Sequence, residues 1–123
     1  MVTSQQAFGQ KAESIAVRQL KKAGYEIITR NYRNRIGEID IVAREGKTLV
    51  FVEVKARKTL RYGHPKHALT RAKQRRVSMV ALEYLKSTGQ SSAKARFDVV
   101  AISAPALEPQ IEIIKNAFEL AYP

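Results

Sequence analysis

Three carboxylates and one lysine interrupt two apolar runs in the segment GEIDIVAREGKTLVFVEVKAR, residues 37–57. The acidic residues are Glu38, Asp40 and Glu53, and the lysine is Lys55. Charged side chains are costly among buried apolar residues unless they are paired with an opposite charge or bind a metal ion. These four residues are therefore candidates for chemistry rather than for packing.

A hairpin would bring the four residues together. The Glu45-Gly46 pair between the apolar runs indicates such a turn. A turn closed on Glu45-Gly46 would place Glu38 opposite Glu53, and a slip by two residues would place Asp40 opposite Glu53. Both registers put all four charged residues on one side of the sheet, because side chains two apart share a face. A slip by one residue would expose half of the apolar side chains.

The two registers make Asp40 and Glu53 direct or diagonal neighbours, with Cβ atoms about 4.5–8 Å apart. Like charges at this separation repel, and a divalent cation between them would remove the repulsion. Because the chain has no cysteine, oxygen ligands predict Mg²⁺ or Mn²⁺ rather than zinc. Lys55 would face the same space, where its ammonium can hold a phosphate oxygen or orient a water molecule.

Two helices supply further catalytic candidates. Glu13 lies on the rim of the apolar stripe of a helix predicted over residues 4–23, from which it can reach over the sheet edge. Gln74 lines up with the apolar face of a helix predicted from Thr70 to about Ser87, where its amide can meet the substrate or a water near the metal. For each of them, a simple solvent-exposed side chain is the alternative.

The remaining pattern predicts the elements that must position these residues. Strands are predicted at YEIITRNYR, at the two runs of the hairpin, at FDVVAIS and at IEIIK, whereas RKTLRYGHPKHAL is predicted to be a loop and NAFELAYP a short helical turn. The order α-β-β-β-α-β-β indicates an α/β fold with a central mixed sheet flanked by helices. We expect one domain over residues 1–123.

Basic charge surrounds the carboxylate segment. The net charge is +11 at pH 7, and no acidic residue occurs from Val54 to Leu82. Such a distribution favours a polyanionic partner, and nucleic acid is the one we expect. Tyr62 is available to stack on an exposed base. The basic residues predicted to bind the phosphate backbone are Arg33, Arg35, Arg57, Lys58, Arg61, Lys66, Arg71, Lys73, Arg75 and Arg76.

Several classes of protein are disfavoured by the composition. The lack of cysteine excludes disulfides and thiolate metal sites. No apolar run approaches the ~20 residues that a membrane span requires, and the first residues lack the pattern of a signal peptide. We therefore expect a cytoplasmic protein without a membrane partner.

The motifs resemble those of the PD-(D/E)XK nuclease superfamily, with Glu13 on the first helix, then Asp40, then Glu53-Val54-Lys55 across the hairpin. A closer similarity is to the YraN-like family of predicted endonucleases, which is itself similar to archaeal Holliday junction resolvases. It extends over GEIDIVAREGKTLVFVEVKAR, KQRR (73–76), YLKSTG (84–89) and RFDVVAI (96–102). Ile39 stands where many members of the superfamily have a proline.

The resemblance implies a restriction-endonuclease-like core and a metal-dependent endonuclease that hydrolyses phosphodiester bonds of DNA, branched DNA included. It implies that Asp40, Glu53 and the Val54 carbonyl hold Mg²⁺ or Mn²⁺ and that Lys55 activates or positions water. It also implies that Glu13 is a further ligand, either directly or through water. Similar resolvases are homodimers that cut two strands symmetrically, and the sequence leaves a homodimer open for this chain.

The same residues are also compatible with a protein that has no catalytic site. A non-catalytic nucleic-acid-binding protein would keep the same fold and the same basic surface. Glu53 and Lys55 would form a surface ion pair if their strand were exposed. Glu38 would pair with a neighbouring arginine, and Asp98, in the FDVV strand, would hold an arginine or a backbone group.

Overall fold

In the part of the chain that the structure describes, two helices and five strands follow one another in the predicted order. A computed structural model describes residues 4–57, 69–103 and 110–120, without the side chains of residues 4–8 and 57. The predicted α/β class is confirmed. The elements are α1 (Ser4–Lys22), β1 (Glu26–Arg33), β2 (Glu38–Glu45), β3 (Thr48–Arg57), α2 (Arg71–Ser87), β4 (Ala95–Ser103) and β5 (Gln110–Phe118).

The strands form one mixed sheet in the order β1-β2-β3-β4-β5. The pairs β1–β2, β2–β3 and β4–β5 are antiparallel, whereas β3 and β4 are parallel. Parallel neighbours need a long crossover connection, and here that connection contains α2. The strand β1 lies at one edge of the sheet.

The two helices pack against opposite faces of the sheet, which gives three layers. One apolar cluster joins α1 to the sheet through Ala12, Ala16, Val17, Leu20, Ile41, Ala43, Val50, Val52, Val100 and Ile102. The other joins α2 to the sheet through Val77, Val80, Ala81, Tyr84, Leu85, Ile39, Val42, Leu49, Phe51, Phe97 and Val99. Two amphipathic helices therefore hold the central strands rigidly between them.

Local signals place the helix ends where the sequence predicts them. The Tyr25 N–H donates to the Leu20 carbonyl at 2.9 Å, and Gly24 takes the left-handed backbone (φ 95°) that ends α1. At the other helix, Thr70 is the N-cap, and its hydroxyl accepts the Lys73 N–H at 3.1 Å. These caps set the positions of Glu13 within α1 and of Lys73 in the first turn of α2.

The predicted helical turn at NAFELAYP is wrong for its first residues, because Asn116–Phe118 continue β5. Asn116 has a φ of 54°, a left-handed value that asparagine tolerates better than most residues. The register shifts between Phe97 and Val99 on the opposing strand, so β5 continues past an irregularity instead of ending at it. Residues 121–123 lie outside the description.

The predicted loop RKTLRYGHPKHAL lies almost wholly outside the described residues, since residues 58–68 are not included. No helix within the described ranges is long and apolar enough to cross a membrane.

Candidate functional site

The hairpin between β2 and β3 closes on Gly46 and Lys47. Glu45 pairs with Thr48 across this turn, and Gly46 has a φ of 60°, the positive value that the first position of a type II′ turn requires. A turn closed on Glu45-Gly46 would put a glutamate at that position, where its Cβ makes a positive φ unfavourable. That predicted register is wrong, and the alternative, slipped by two residues, is present.

Asp40 and Glu53 are neighbours where the regular pairing of this hairpin ends, at Ile41 and Val52. The Asp40 N–H donates to Glu53 Oε2 at 3.1 Å, and the Val54 N–H donates to Asp40 Oδ2 at 2.9 Å. Each carboxylate therefore binds the main chain of the opposite strand. These two bonds replace the sheet ladder and fix Asp40 and Glu53 opposite one another.

The alternation of faces along β2 is interrupted at Asp40. Ile39 packs in the cluster under α2, whereas Ile41 packs in the cluster under α1, although a regular strand would place them on one face. On β1, Asn31 lies between the residues that pair with Ile41 and Ile39, and it has a φ of 54°. The irregular backbone of both strands at this level turns the Asp40 side chain towards α1.

A cavity of about 650 Å³ lies beside α1 and the ends of β2 and β3. It brings together Glu13, Glu38, Asp40 and Lys55. Glu53 is directed to the other side, towards α2. The expectation that all the charged residues of the hairpin share one face is wrong in this respect, because it assumed strict alternation through Asp40.

Glu53 is the most buried acidic residue of the site. Its side chain is 3% exposed, and its Oε1 lies 3.5 Å from Nζ of Lys73 on α2. Burial, with the nearby charge of Asp40, raises the pKa of Glu53 to about 7. The alternative of a surface ion pair between Glu53 and Lys55 is wrong, since Glu53 is buried and its partner is Lys73.

Asp40 has a perturbed acidity as well. Burial raises its pKa, and the charges of Glu13 and Glu38 add to this, although the hydrogen bond from Val54 and the charge of Lys73 oppose it. Both central carboxylates thus resist ionisation. A cation placed against them would favour their charged forms.

Glu13 reaches the cavity from the middle of α1. Its Oε1 accepts hydrogen bonds from Arg30 Nε and Asn31 Nδ2, both at 3.0 Å, and its side chain is 14% exposed. The sequence analysis missed Arg30 and Asn31. The one signal for Asn31 is its residue type, since asparagine is rare within strands and tolerates a positive φ.

Lys55 lines the same cavity. Within the described part of the chain, no side chain lies within hydrogen-bond or ion-pair distance of its ammonium group.

The carboxylates do not form a compact cluster. No group of three or more His, Asp or Glu side chains in the described ranges is placed to hold a metal ion. Asp40 and Glu53 are adjacent, but Glu13, predicted as a further ligand either directly or through water, is held by Arg30 and Asn31. Any ion bound by the adjacent pair would need main-chain and water oxygens to complete its coordination.

The amide of Gln74 is directed to the main chain before α2 and not to the cavity. It lies in the first turn of α2, and its Nε2 donates to the Leu69 carbonyl at 3.0 Å. It is absent from the described lining of the cavity. The amide thus fastens the chain just before the helix, and its contact with the substrate or with a water near the metal stays a prediction.

The residues predicted to bind nucleic acid divide into three groups. Arg33 and Lys73 are in ion pairs, with Glu38 at 2.8 Å and with Glu53 at 3.5 Å, so the alternative of an arginine partner for Glu38 is confirmed. Arg35 and three residues of α2, Arg71, Arg75 and Arg76, are exposed. The Arg57 side chain and all of Lys58, Arg61, Tyr62 and Lys66 lie outside the described residues.

Arg76 lies next to the turn that carries Arg35. A Cβ atom on Gly37 would lie 3.4 Å from both Cγ and Cδ of Arg76. The absence of a side chain at Gly37 thus lets the stem of Arg76 pack closely on this turn. Arg35, two residues before Gly37, is exposed, as is Arg76.

Asp98 belongs to a separate structural network at the hairpin end of the sheet. It is fully buried and accepts hydrogen bonds from Tyr25 Oη at 2.7 Å, Arg96 Nε at 2.9 Å and the Asn116 N–H at 2.9 Å. Arg96 also binds Glu45 at 2.7 Å. The alternative that Asp98 holds an arginine and a backbone group is confirmed.

Comparisons with known proteins identify relatives over almost the whole chain. Residues 12–102 match the Uncharacterised protein family UPF0102. A UPF0102 protein of Desulfosudis oleivorans is 50% identical over 119 residues, which cover 97% of this chain and 95% of that protein. One of Geobacter metallireducens is 54% identical over 116 residues, covering 94% and 95%.

Among solved structures, similarity is found to Archaeoglobus fulgidus Hjc, described as a Holliday junction resolvase from an archaeal hyperthermophile. The two chains are 22% identical, with a TM-score of 0.46. The match covers 84% of this chain and 74% of that one.

Proposed function

The chain belongs to the UPF0102 family, the YraN-like family that its motifs indicated, and we propose that it is a metal-dependent endonuclease that hydrolyses DNA. The pair Asp40–Glu53 is the observation that carries the proposal. Two residues whose carboxylates resist ionisation are bound to one another through the main chain, and one of them, Asp40, lines a cavity that also contains Lys55. Such an arrangement lowers the stability of the folded protein when no cation is bound, and it is typical of a site that receives a cation.

The donor set suits Mg²⁺ or Mn²⁺. Asp40 Oδ2 and Glu53 Oε2 are engaged by main-chain N–H groups. The remaining oxygens are Asp40 Oδ1 and Glu53 Oε1, of which the latter is paired with Lys73. We propose that these oxygens and the Val54 carbonyl would hold the metal, with water as the remaining ligands, as Mg²⁺ prefers. When bound, the ion would polarise the phosphate and lower the pKa of a water molecule.

The protein's own residues orient the reactants. Lys55 would hold a non-bridging phosphate oxygen or position the attacking water. Glu13, held by Arg30 and Asn31, would bind a water molecule of the metal rather than the metal itself. In the reaction, a water oxygen forms a bond to phosphorus, the bond from phosphorus to the 3′ oxygen breaks, and that oxygen takes up a proton. The products are a 5′-phosphate and a 3′-hydroxyl.

The basic surface would bind the DNA backbone. Exposed Arg35, Arg71, Arg75 and Arg76 lie on the turn before β2 and on the beginning of α2, the two elements next to Asp40 and Glu53. Phosphate contacts of this kind position a duplex without reading its sequence. Branched DNA is the proposed substrate class, and a homodimer acting on two strands in the cytoplasm is the proposed state.

A second candidate function is non-catalytic nucleic-acid binding. Lys73 already neutralises Glu53, and the described residues provide no third carboxylate next to the pair. A protein with these properties could bind DNA through the same arginines and leave it intact.

A cleavage assay decides between the two. The purified protein is incubated with end-labelled single-stranded, duplex, flap and four-way-junction DNA in Mg²⁺, Mn²⁺ or EDTA. Glu53→Gln and Lys55→Ala, purified identically, exclude a contaminating nuclease. We expect metal-dependent cleavage that is lost in both variants. Binding without cleavage in every metal, unchanged in the variants, would instead establish the binding protein.

A further inference from the structure

Lys73 links α2 to the paired carboxylates. Its Nζ lies 3.5 Å from Glu53 Oε1, and its side chain is 36% exposed, whereas that of Glu53 is 3% exposed. Although the pKa values of Asp40 and Glu53 are raised overall, the positive charge of Lys73 opposes the rise in both. Lys73 thus acts on both carboxylates and also has a direct path to solvent.

Two arginines near the site have carboxylate partners of their own. Arg30 binds Glu13 at 3.0 Å, and Arg33 binds Glu38 at 2.8 Å. Among the described residues, Lys73 is the one basic side chain in an ion pair with Glu53. Its partner oxygen, Oε1, is the oxygen of Glu53 that does not accept the Asp40 N–H.

The position of Lys73 on its helix favours an anionic partner. It lies in the first turn of α2, which contains no acidic residue. A cation is unfavourable at a helix N-terminus because of the helix dipole, and an anion is favourable there. Glu53 offsets this cost, and a phosphate group in the same region would also offset it.

We propose that Lys73 is a counter-cation that a divalent metal displaces from Glu53, and that the displaced ammonium then binds a phosphate of the nucleic-acid backbone. The inference rests on the proposed function and adds to it a coupling between metal loading and substrate binding. Both cations need the same Oε1 of Glu53. A lysine on a flexible four-carbon stem can move to a new partner without any change in the helix.

The first test measures Mg²⁺ binding by calorimetry, without DNA, at pH 8.5. Lys73→Met removes the competing charge but keeps the length of the side chain. Lys86→Met removes one charge from the exposed last turn of the same helix and serves as the matched control. Because the competitor is lost, we expect Lys73→Met to bind Mg²⁺ about fivefold or more tightly than the wild type, a coupling of ordinary size. Lys86→Met should match the wild type.

The outcomes separate this inference from the proposed function. Tighter binding in Lys73→Met, or binding detected in that variant alone, supports the exchange. Equal or weaker binding in Lys73→Met beside normal binding in the wild type overturns the exchange and leaves the metal site in place. No Mg²⁺ binding in any form, or binding that survives Asp40→Asn, overturns both. If Lys73→Met does not fold, Lys73→Gln replaces it.

The second test measures the transfer to phosphate. DNA affinity is determined against salt concentration for the wild type and Lys73→Met, in Mg²⁺ and in EDTA. One phosphate contact contributes about 0.9 to the slope of log K against log salt for duplex DNA. We expect the two proteins to differ by this amount in Mg²⁺ and not in EDTA. Equal slopes in Mg²⁺, or the same difference under both conditions, would overturn the transfer.

Discussion

The Asp40 N–H donates a hydrogen bond to the Glu53 carboxylate at 3.1 Å, and the residue after Glu53 returns one to the Asp40 carboxylate at 2.9 Å. Two like-charged side chains are thus held by main-chain donors of opposite strands. The geometry of the pair does not require both charges. Charge can therefore be removed from the site without removing the hydrogen bonds that shape it.

Asp40→Asn tests this separation of charge from shape. The asparagine oxygen can still accept the Val54 N–H, and the repulsion of Glu53 is gone, so we expect an equal or higher melting temperature in EDTA. Cleavage should fall by about 100-fold or more, because a metal ion contributes several kcal/mol to the transition state. Asp40→Ala, which lacks the acceptor, should melt lower. Wild-type cleavage by Asp40→Asn would refute the assignment.

The acidity of Glu53 gives a pH dependence of stability. Its pKa is raised from 4.5 to about 7 in the folded protein, so the folded state binds the proton more tightly than the unfolded chain. This stabilisation is fully present below pH 4.5 and is lost as the pH rises through about 7. In EDTA, the melting temperature of the wild type relative to Glu53→Gln should fall between pH 5 and pH 8. Parallel melting curves across this range would contradict the raised pKa.

Asn31 has two separable roles. It adopts a φ of 54° and it binds Glu13. Asn31→Ala should lower the free energy of unfolding by about 1–2 kcal/mol, the cost of a left-handed backbone for a residue with a Cβ. Asn31→Gly tolerates that backbone and should be closer to the wild type in stability. Both lack the amide, so the cleavage rate should fall equally in both; a rate that follows stability instead would argue against a positioning role.

The pairing of Asp40 with Glu53 could be anticipated because hairpin register and burial are properties of a short segment. The choice between the two registers depended on which turn position Gly46 takes, and its φ of 60° decided it. The partners Lys73 and Asn31 could not be anticipated. Lys73 reaches Glu53 because α2 packs on the sheet, and Asn31 reaches Glu13 from an irregular stretch of β1. Neither helix packing nor a strand irregularity is visible in the periodicity of a short segment. The continuation of β5 through Asn116 was missed because that residue is also irregular.

Asp98 should matter for stability and not for metal binding. It is fully buried and accepts hydrogen bonds from Tyr25, Arg96 and the Asn116 backbone. Asp98→Asn leaves the Arg96 guanidinium with one carboxylate fewer. We therefore expect the free energy of unfolding, measured by urea denaturation, to fall by about 3–5 kcal/mol. Lys115→Met, which removes a half-exposed partner of Glu45, should cost about 1 kcal/mol or less. Mg²⁺ affinity of folded Asp98→Asn should equal that of the wild type, and a tenfold loss would assign Asp98 to the site.

The surface formed by Arg35 and Arg76 should bind DNA through its phosphates. Arg35→Gln and Arg76→Gln keep part of each side-chain stem, and each should lower the slope of log K against log salt by about 0.9. The loss of affinity should be equal for duplexes of different sequence, since phosphate contacts carry no base information. Lys86→Gln, at the exposed far end of α2, is the control and should leave the slope unchanged. A loss confined to one DNA sequence would show that these arginines contact bases, and unchanged slopes would place the DNA on another face.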